Sequence, residues 1–237
     1  MKYAVFSDIH SNLDALKTVL AEISKEKVDE YICCGDIVGY GPEPNECIDE
    51  IKKIKNIKIV AGNHDRAVVD RLNIDFFHEN AKEVIIWTSS VLTQENKEFL
   101  TNLPEKIIEN NFTVVHGSPR DPINEYLMGV LDINNNLSYF ENDICFIGHT
   151  HLPFFYAEGL GSMQLKALNK MRITSKSIIN VGSIGQPRDS DNRACYMIIE
   201  DNAITCYRVP YDIESVQKKM KGKSLPKKLI TRLSCGA

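Results

Sequence analysis

The sequence predicts an α/β fold, and two features of its hydrophobic pattern support this class. Over the first 61 residues, short apolar runs alternate with amphipathic stretches in the order strand, helix, strand, helix, strand. This alternation is typical of a parallel sheet whose strands are joined by right-handed helical crossovers. After residue 152, four further apolar runs follow without helices between them. These runs predict a second sheet of more antiparallel character.

The first part of the chain divides into five elements. Strands are predicted at residues 2–6, 29–34 and 57–61, and helices at residues 13–25 and 45–55. Apolar residues at helical spacing identify the helices, and short apolar runs identify the strands. In sheets of this kind, ligands bind beyond the carboxyl ends of the strands. The turns after the strands are therefore the expected place for a functional site.

Residues 66–110 interrupt the alternation and predict two or three helices, which we interpret as a helical insertion near the site. His78 lies in this insertion and is expected to be a surface or packing residue. Beyond the insertion, strands are predicted at residues 112–115, 144–147, 153–157, 177–181, 194–199 and 203–209. The last two are separated by Glu200-Asp201-Asn202, which indicates a hairpin.

Residues 211–237 are predicted to form a helical C-terminal tail. From Lys218 onward this tail carries seven basic residues and no acidic ones. We expect a solvated amphipathic helix here, in preference to a phosphate-binding arm. All of these elements are expected to belong to one domain that spans residues 1–237.

Composition limits the choice of partners and compartment. The formal charge of −4, from 28 basic and 32 acidic residues, disfavours nucleic acid and membrane surfaces as partners. The seven cysteines include no Cys-x-x-Cys pair, and most lie in apolar runs, as buried reduced thiols do. The sequence shows no signal-peptide pattern and no apolar stretch of the roughly 18 residues that a membrane span needs. These features predict a cytoplasmic protein.

Metal-binding side chains recur in the turns directly after the predicted strands. Because the carboxyl ends of parallel strands meet at one edge of a sheet, we expect these residues to lie close together. Imidazole, carboxylate and amide oxygen without thiolate suit first-row divalent ions, and seven ligands are too many for one ion. A pair of ions roughly 3.5 to 4 Å apart needs a bridging carboxylate. The seven ligands are Asp8, His10, Asp36, Asn63, His116, His149 and His151, and His64, in the same turns, could transfer a proton.

Asp65 follows this pattern at the third predicted strand and allows two interpretations. Its carboxylate could hold the imidazole of His64 in one tautomer. Alternatively, Asp65 could cap the helix that follows the strand.

The order of the motifs resembles that of the calcineurin-like metallophosphoesterase superfamily over residues 1–189. Segments at residues 39–42, 180–189 and 211–214 further resemble the small single-domain bacterial and archaeal phosphodiesterase branch. This resemblance implies a four-layer α/β/β/α sandwich of two facing mixed sheets flanked by helices. The motifs that carry it are Asp8-Ile9-His10, Gly35-Asp36, Gly62-Asn63-His64-Asp65, His116-Gly117 and Gly148-His149-Thr150-His151.

The resemblance also implies roles for individual residues. One metal would be bound by Asp8, His10 and His151, the other by Asn63, His116 and His149, with Asp36 bridging the two. His64 would be a non-ligand imidazole that donates to the phosphoryl oxygens or the leaving group, and Asp65 would orient it. Arg188 has two interpretations: a bidentate donor to the substrate phosphate, or a surface ion pair with Asp189.

Together these observations predict a dinuclear metal-dependent phosphoesterase, in which a metal-bridging hydroxide attacks phosphorus. Its cofactors would be two divalent transition-metal ions, with Mn as the first choice and Fe, Co, Ni or Zn as alternatives. We expect a phosphodiesterase acting on a small or nucleotide-derived substrate; the enzymatic alternatives are a phosphomonoesterase and a dinucleoside polyphosphate hydrolase. Outside enzymes, the alternative is a metal-bearing protein-interaction module without turnover. Homo-oligomer formation is left open.

Overall fold

The fold is built on twelve strands in two six-stranded sheets, seen in a computed structural model that describes residues 1–237. Most strands are three or four residues long, and only the last two reach seven. In chain order they are β1 (Tyr3–Phe6), β2 (Glu30–Cys33), β3 (Ile57–Ile59), β4 (Lys106–Ile108), β5 (Phe112–Val115), β6 (Ile144–Ile147), β7 (Phe154–Ala157), β8 (Gly161–Gln164), β9 (Lys170–Arg172), β10 (Ser177–Asn180), β11 (Ala194–Glu200) and β12 (Ala203–Val209).

Both sheets are mixed. The first has the strand order β3-β2-β1-β11-β12-β9, and the second has the order β4-β5-β6-β10-β7-β8. Parallel pairing joins β1 to β2, β2 to β3, β5 to β6 and β6 to β10, and the other pairs are antiparallel. The parallel strands of each sheet therefore end at a common edge, as the sequence predicts.

Eight helices complete the fold, and two short 3₁₀ turns lie at Ile74–Phe76 and Leu137–Tyr139. None of the eight combines the length and the apolar character that crossing a bilayer requires. The helices are α1 (Leu13–Ile23), α2 (Pro44–Lys52), α3 (Asn63–Ala67), α4 (Glu79–Val91), α5 (Gln94–Thr101), α6 (Val130–Asn136), α7 (Ile213–Gly222) and α8 (Lys227–Cys235).

The alternation of side chains along the strands produces the layers. In β1, Ala4 and Phe6 face the helix α1, whereas Val5 belongs to a separate apolar cluster between the two sheets. In β6, Phe146 points into that same inner cluster, and Ile147 packs on the outer side beneath α6. The predicted arrangement of two facing sheets flanked by helices is confirmed.

The structure departs from the predicted elements in the polar strands. The segment expected to be a helical insertion, residues 66–110, contains the helices α4 and α5 and one 3₁₀ turn, but it also contains the strand β4 near its end. The strands β8 and β9 were not predicted, because their sequences, GSMQ and KMR, carry no apolar run. Both lie at sheet edges, where solvent covers one side and an apolar pattern is not required.

The C-terminal tail is also different from the prediction. It forms two helices, α7 and α8, that are packed and not solvated on all sides. Val216, Leu229 and Leu233 are buried in a cluster with Val84 of α4, and Tyr40 packs against that cluster. The apolar residues of the tail fall on the inner faces of the two helices, and its lysines remain outside.

Candidate metal centre

The residues that follow the parallel strands converge at one edge of the sandwich. They come from turns in both sheets, after β1, β2, β5 and β6 and at the start of α3. None of them is more than 6% exposed, which is unusual for so many polar groups. The group consists of Asp8, His10, Asp36, Asn63, His64, His116, His149 and His151.

One set of donor atoms centres on two imidazoles. The Nδ1 atoms of His10 and His151 lie 3.0 and 2.6 Å from the backbone carbonyls of Val38 and Gln186. Since a carbonyl only accepts, both Nδ1 atoms carry the hydrogen, and both Nε2 atoms present lone pairs when the rings are neutral. These two Nε2 atoms are 3.0 Å apart. The Oδ1 atom of Asp8 lies 3.1 Å from Nε2 of His151.

A second set has the same design. The Nδ1 atom of His116 donates to the carbonyl of Cys34 at 2.8 Å, which turns its Nε2 atom toward the site. That Nε2 atom lies 3.1 Å from Oδ1 of Asn63 and 3.0 Å from Nδ1 of His149. The Nε2 atom of His149 donates to the carbonyl of Asn124 at 3.1 Å, so its Nδ1 atom is the free one.

Asp36 lies between the two sets. Its Oδ2 atom is 3.6 Å from Nε2 of His10 and 3.4 Å from Nε2 of His116, so one oxygen faces both groups. Its Oδ1 atom accepts the backbone N–H of His64 at 2.9 Å. This close approach requires Gly62, because a Cβ atom there would come within 2.0 Å of that oxygen.

The arrangement fits divalent cations. Lone pairs that face one another at 3.0 Å repel unless a proton or a cation lies among them. The Oδ1 atom of Asp8 is buried and has no hydrogen-bond partner, which a cation would supply. Every donor is an imidazole nitrogen or a carboxylate or amide oxygen, and the nearby Cys34 contributes only its backbone carbonyl.

The backbone at the site is held in an uncommon conformation. Five of the grouped residues have positive φ angles between 48° and 66°, in the left-handed region that non-glycine residues rarely adopt. Each such residue costs on the order of 1 kcal/mol or more. The cost is met by hydrogen bonds that fix the turns, such as the backbone N–H of His10 to the carbonyl of Asp36 at 3.0 Å. The five residues are Asp8, His10, Asp36, His149 and His151.

Burial and charge set the protonation of the imidazoles in the metal-free protein. Burial opposes protonation of His116, but the neighbouring Asp36 outweighs it and raises the pKa of His116 to about 9. Burial lowers the pKa of His149 to about 3 and that of His151 to about 4. The pKa of Asp8 lies well below its usual range, because nearby imidazoles outweigh the effect of burial. Of these three imidazoles, that of His116 is therefore protonated near pH 7, and those of His149 and His151 are neutral.

His64 is a buried member of this group, and its ring is held in place by packing. Its ring lies 4.4 Å from that of Tyr40 and 5.2 Å from that of Phe77, measured between centroids. Gly39, with φ of 102°, allows the ring to approach, since a Cβ atom there would lie 2.6 Å from Nδ1 of His64. Burial keeps the pKa of His64 well below its usual range, so the ring is neutral near pH 7.

Asp65 does not orient His64 through a hydrogen bond. Its two carboxylate oxygens accept the backbone N–H groups of Val38 at 3.1 Å and of Gly62 at 3.0 Å. Nδ1 of His64 is buried without a hydrogen-bond partner. Asp65 thus caps α3 and ties it to the turn after β2, as in the second interpretation.

Arg188 does not form an ion pair with Asp189. The carboxylate of Asp189 instead binds the buried guanidinium of Arg208 on β12. Arg188 donates from Nη2 to the side-chain oxygen of Gln186 at 3.0 Å, and its guanidinium carbon lies 5.6 Å from the ring centroid of Tyr40. His78, by contrast, is exposed at the start of α4, away from the grouped residues.

Two neighbours of the site were not predicted. The ring of Tyr126 lies over that of His149 with centroids 3.7 Å apart, and this tyrosine is 51% exposed. Arg232 of α8 donates from Nη1 to the side-chain oxygen of Gln186 at 3.3 Å. No local pattern marks Tyr126, and the basic character of the tail was the only sequence signal for Arg232.

Comparison with known proteins identifies the family of the chain. Residues 1–202 match the family described as the calcineurin-like phosphoesterase superfamily domain. The chain is 38% identical to the uncharacterized protein MJ0912 of Methanocaldococcus jannaschii, over 98% of this chain and 97% of the relative.

Solved structures give the same result. A metallophosphoesterase from Sphaerobacter thermophilus is 39% identical, with a TM-score of 0.91 over 100% of this chain and 99% of that one. The hypothetical protein PH1004 from Pyrococcus horikoshii shares the fold, with 22% identity and a TM-score of 0.84 over 100% and 98% of the two chains. The chain therefore belongs to the calcineurin-like phosphoesterase superfamily.

Proposed function

We propose that this protein is a dinuclear metal-dependent phosphoesterase, and specifically a phosphodiesterase on a small or nucleotide-derived substrate. The observation that carries the proposal is the pair of buried donor sets that share one carboxylate, Asp36. Asp8, His10 and His151 would hold one ion, and Asn63, His116 and His149 the other. Two divalent ions, with Mn as the first choice, would activate water and neutralise negative charge that develops on the phosphoryl oxygens.

The residues of the chain would position the ester and supply a proton. His64 lies next to the donor sets: its ring centroid is 5.0 Å from that of His10, and one of its ring nitrogens lies within 4.8 Å of ligand atoms of His10 and Asp36. The family resemblance makes it a residue that binds no metal. The ring is neutral in the absence of substrate, and its one N–H would donate a hydrogen bond to a phosphoryl oxygen. The negative charge of the bound phosphoester would favour protonation of the ring, and the imidazolium would then transfer a proton to the departing alcohol oxygen. Arg188 would contact the phosphate from the side of Tyr40.

One observation supports a nucleotide-derived substrate, and another supports a phosphoester. Tyr126 presents a half-exposed aromatic ring directly beside His149, where it could stack on a nucleobase. The Sphaerobacter thermophilus relative, which is 39% identical over the whole chain, is a metallophosphoesterase. The preference for a diester over a monoester rests on the motifs at residues 39–42, 180–189 and 211–214.

The test compares matched esters on one preparation. The full-length chain is loaded with Mn, its metal content is measured, and hydrolysis of bis-p-nitrophenyl phosphate is compared with that of p-nitrophenyl phosphate. We expect about two ions per chain and a higher kcat/KM for the diester. A preference for the monoester would replace the diester assignment with a phosphomonoesterase. Two bound ions without turnover of any ester, including dinucleoside polyphosphates, would favour the protein-interaction module.

A further inference from the structure

An excess of hydrogen-bond donors lies beside the candidate metal centre, on the side of His151. The donors belong to Gln186 and Arg188, which follow β10, and to Arg232 on α8. Gln186 connects this group to the centre, because its backbone carbonyl accepts Nδ1–H of His151 at 2.6 Å. Its side-chain oxygen accepts from Arg188 at 3.0 Å and from Arg232 at 3.3 Å. One neutral oxygen thus serves two guanidinium groups.

The remaining donors of this group have no acceptor. Nε of Arg188 and Nε2 of Gln186 are buried and make no hydrogen bond. Gln186 is only 1% exposed, so solvent does not supply the missing partner. Arg188 and Arg232 are partly buried, and neither has a carboxylate within 4.0 Å, whereas the buried guanidinium of Arg208 is paired with Asp189. Two like charges and unpaired buried donors at one place are costly. They are what a binding site for a strongly charged anion provides.

The position of Arg232 is fixed by the fold. It lies on α8 between Ile230 and Leu233, both of which are buried in the cluster that attaches the tail to α4. Burial and the neighbouring Arg188 lower the pKa of Arg232, which shows that the side chain is partly withdrawn from solvent and near a second cation. A solvated lysine or arginine on the outer face of the tail would have neither property.

The two arginines lie at different depths. The guanidinium carbon of Arg188 lies 5.6 Å from the ring centroid of Tyr40, and the Tyr40 ring adjoins the rings of His10 and His64. Arg232 reaches this group through the side-chain oxygen of Gln186, at 3.3 Å from its Nη1 atom. Arg188 therefore lies nearer than Arg232 to the position expected for the reacting phosphoryl group.

We infer that Gln186, Arg188 and Arg232 form a binding site for a second phosphate, joined through oxygen to the phosphorus that reacts. The inference rests on the proposed function and narrows it. The substrate class would be a nucleotide that contains a phosphoanhydride linkage, such as a dinucleoside polyphosphate. In this arrangement Arg188 contacts both phosphates, and Arg232 contacts the outer one alone.

The experiment measures binding, so that it does not depend on turnover. The Mn-loaded full-length protein is titrated calorimetrically with methylenediphosphonate and with methylphosphonate, and its metal content is measured after each titration. The test variant is Arg232→Gln. The control is Lys228→Gln, which removes the same charge one turn earlier on the same helix, at an exposed position.

We expect Arg232→Gln to weaken binding of the diphosphonate about 10-fold to 100-fold, the effect of one charge-assisted hydrogen bond. Binding of the monophosphonate should change by less than about 2-fold, and Arg232→Lys should recover part of the loss. Lys228→Gln should leave both affinities within about 2-fold of the parent. Thermal unfolding of each variant verifies that the tail remains packed.

Three outcomes would overturn the inference: no loss of diphosphonate binding in Arg232→Gln, an equal loss for both anions, or an equal loss in Lys228→Gln. These outcomes are distinct from failure of the proposed function. If the protein binds the diphosphonate through Arg232 but hydrolyses no ester, the anion site is supported and the proposed catalytic function is wrong. If the protein hydrolyses diesters but Arg232→Gln binds the diphosphonate as tightly as the parent, the catalytic function is supported and the anion site is wrong.

Discussion

The carboxylate of Asp65 and the imidazole of His64 are adjacent in the chain but make no hydrogen bond to each other. Asp65 accepts the backbone N–H groups of Val38 and Gly62, and His64 is surrounded by the rings of Tyr40 and Phe77. The two residues are therefore positioned by different interactions. Substitutions at these two sites should have effects of different kinds, one on stability and the other on rate.

Asp65→Ala should mainly destabilise the protein. The change leaves two buried backbone N–H groups without an acceptor, and each such group costs about 1 to 3 kcal/mol. Burial, followed by the charge of Asp36, raises the pKa of Asp65 to about 6, so the ionised carboxylate that accepts these bonds predominates at pH 8. Urea unfolding at pH 8 should show a free energy of unfolding lower by about 2 to 5 kcal/mol. A fully stable variant would contradict the assignment of Asp65 as the cap of α3.

His64→Asn should lower the rate without removing metal. A positioned general acid contributes about 10²-fold to 10⁴-fold, so kcat should fall by about that factor. The deficit should be larger for esters with poor alcohol leaving groups than for nitrophenyl esters, because nitrophenolate departs with little need of a proton. Metal content and binding of methylphosphonate serve as controls and should match the parent. A variant as fast as the parent on every ester would show that His64 only forms part of the turn.

Asp36→Asn should lower the metal content toward one ion or none and abolish hydrolysis. Its Oδ2 atom faces donors of both sets, and a neutral amide is a weaker ligand for two cations than a carboxylate. Metal analysis by mass spectrometry, together with a diester assay, checks both effects. His78→Ala is the control, since His78 is exposed and outside the site, and it should keep both ions. Two tightly held ions in Asp36→Asn would contradict the shared role of this carboxylate.

The imidazoles of the metal-free protein should titrate at very different pH values. His116 should remain doubly protonated up to about pH 9, because Asp36 outweighs the effect of burial on its pKa, whereas the ring of His151 should stay neutral down to about pH 4. Protonated His116 stabilises the metal-free protein fully below about pH 6.5, its pKa when unfolded. That contribution is lost as the pH rises through about 9.

The ring nitrogen shifts of ¹⁵N-histidine-labelled, metal-free protein provide the measurement. His116→Asn, which removes the expected high-pKa signal, provides the assignment. If every ring titrated between about pH 6 and 7, as unperturbed histidines do, the electrostatic description of the site would be wrong.

The parts of the molecule that the sequence predicted are those with a local signal. Buried strands such as β5 and β6 were placed at their observed residues, because burial on both faces demands an unbroken apolar run. That His116 and His149 lie close together was predicted from their position after strands, and their assignment to one ion came from the family resemblance. By contrast, β9 and Tyr126 depend on tertiary neighbours that no periodicity encodes. The same holds for Arg232, whose helix meets the centre only through its packing on α4.

Because residues from both sheets form the site, the site is completed only after distant parts of the chain have been synthesised. Asp8 and His10 are synthesised among the first residues, but the partners of His10 and His116 in the two donor sets, His151 and His149, come much later in the chain. The strand β1, which precedes the first donors, also pairs with β11, which comes later in the chain. A nascent or truncated chain that ends before residue 149 completes neither donor set. Under the proposed function, binding of both ions would therefore require that most of the chain has been synthesised.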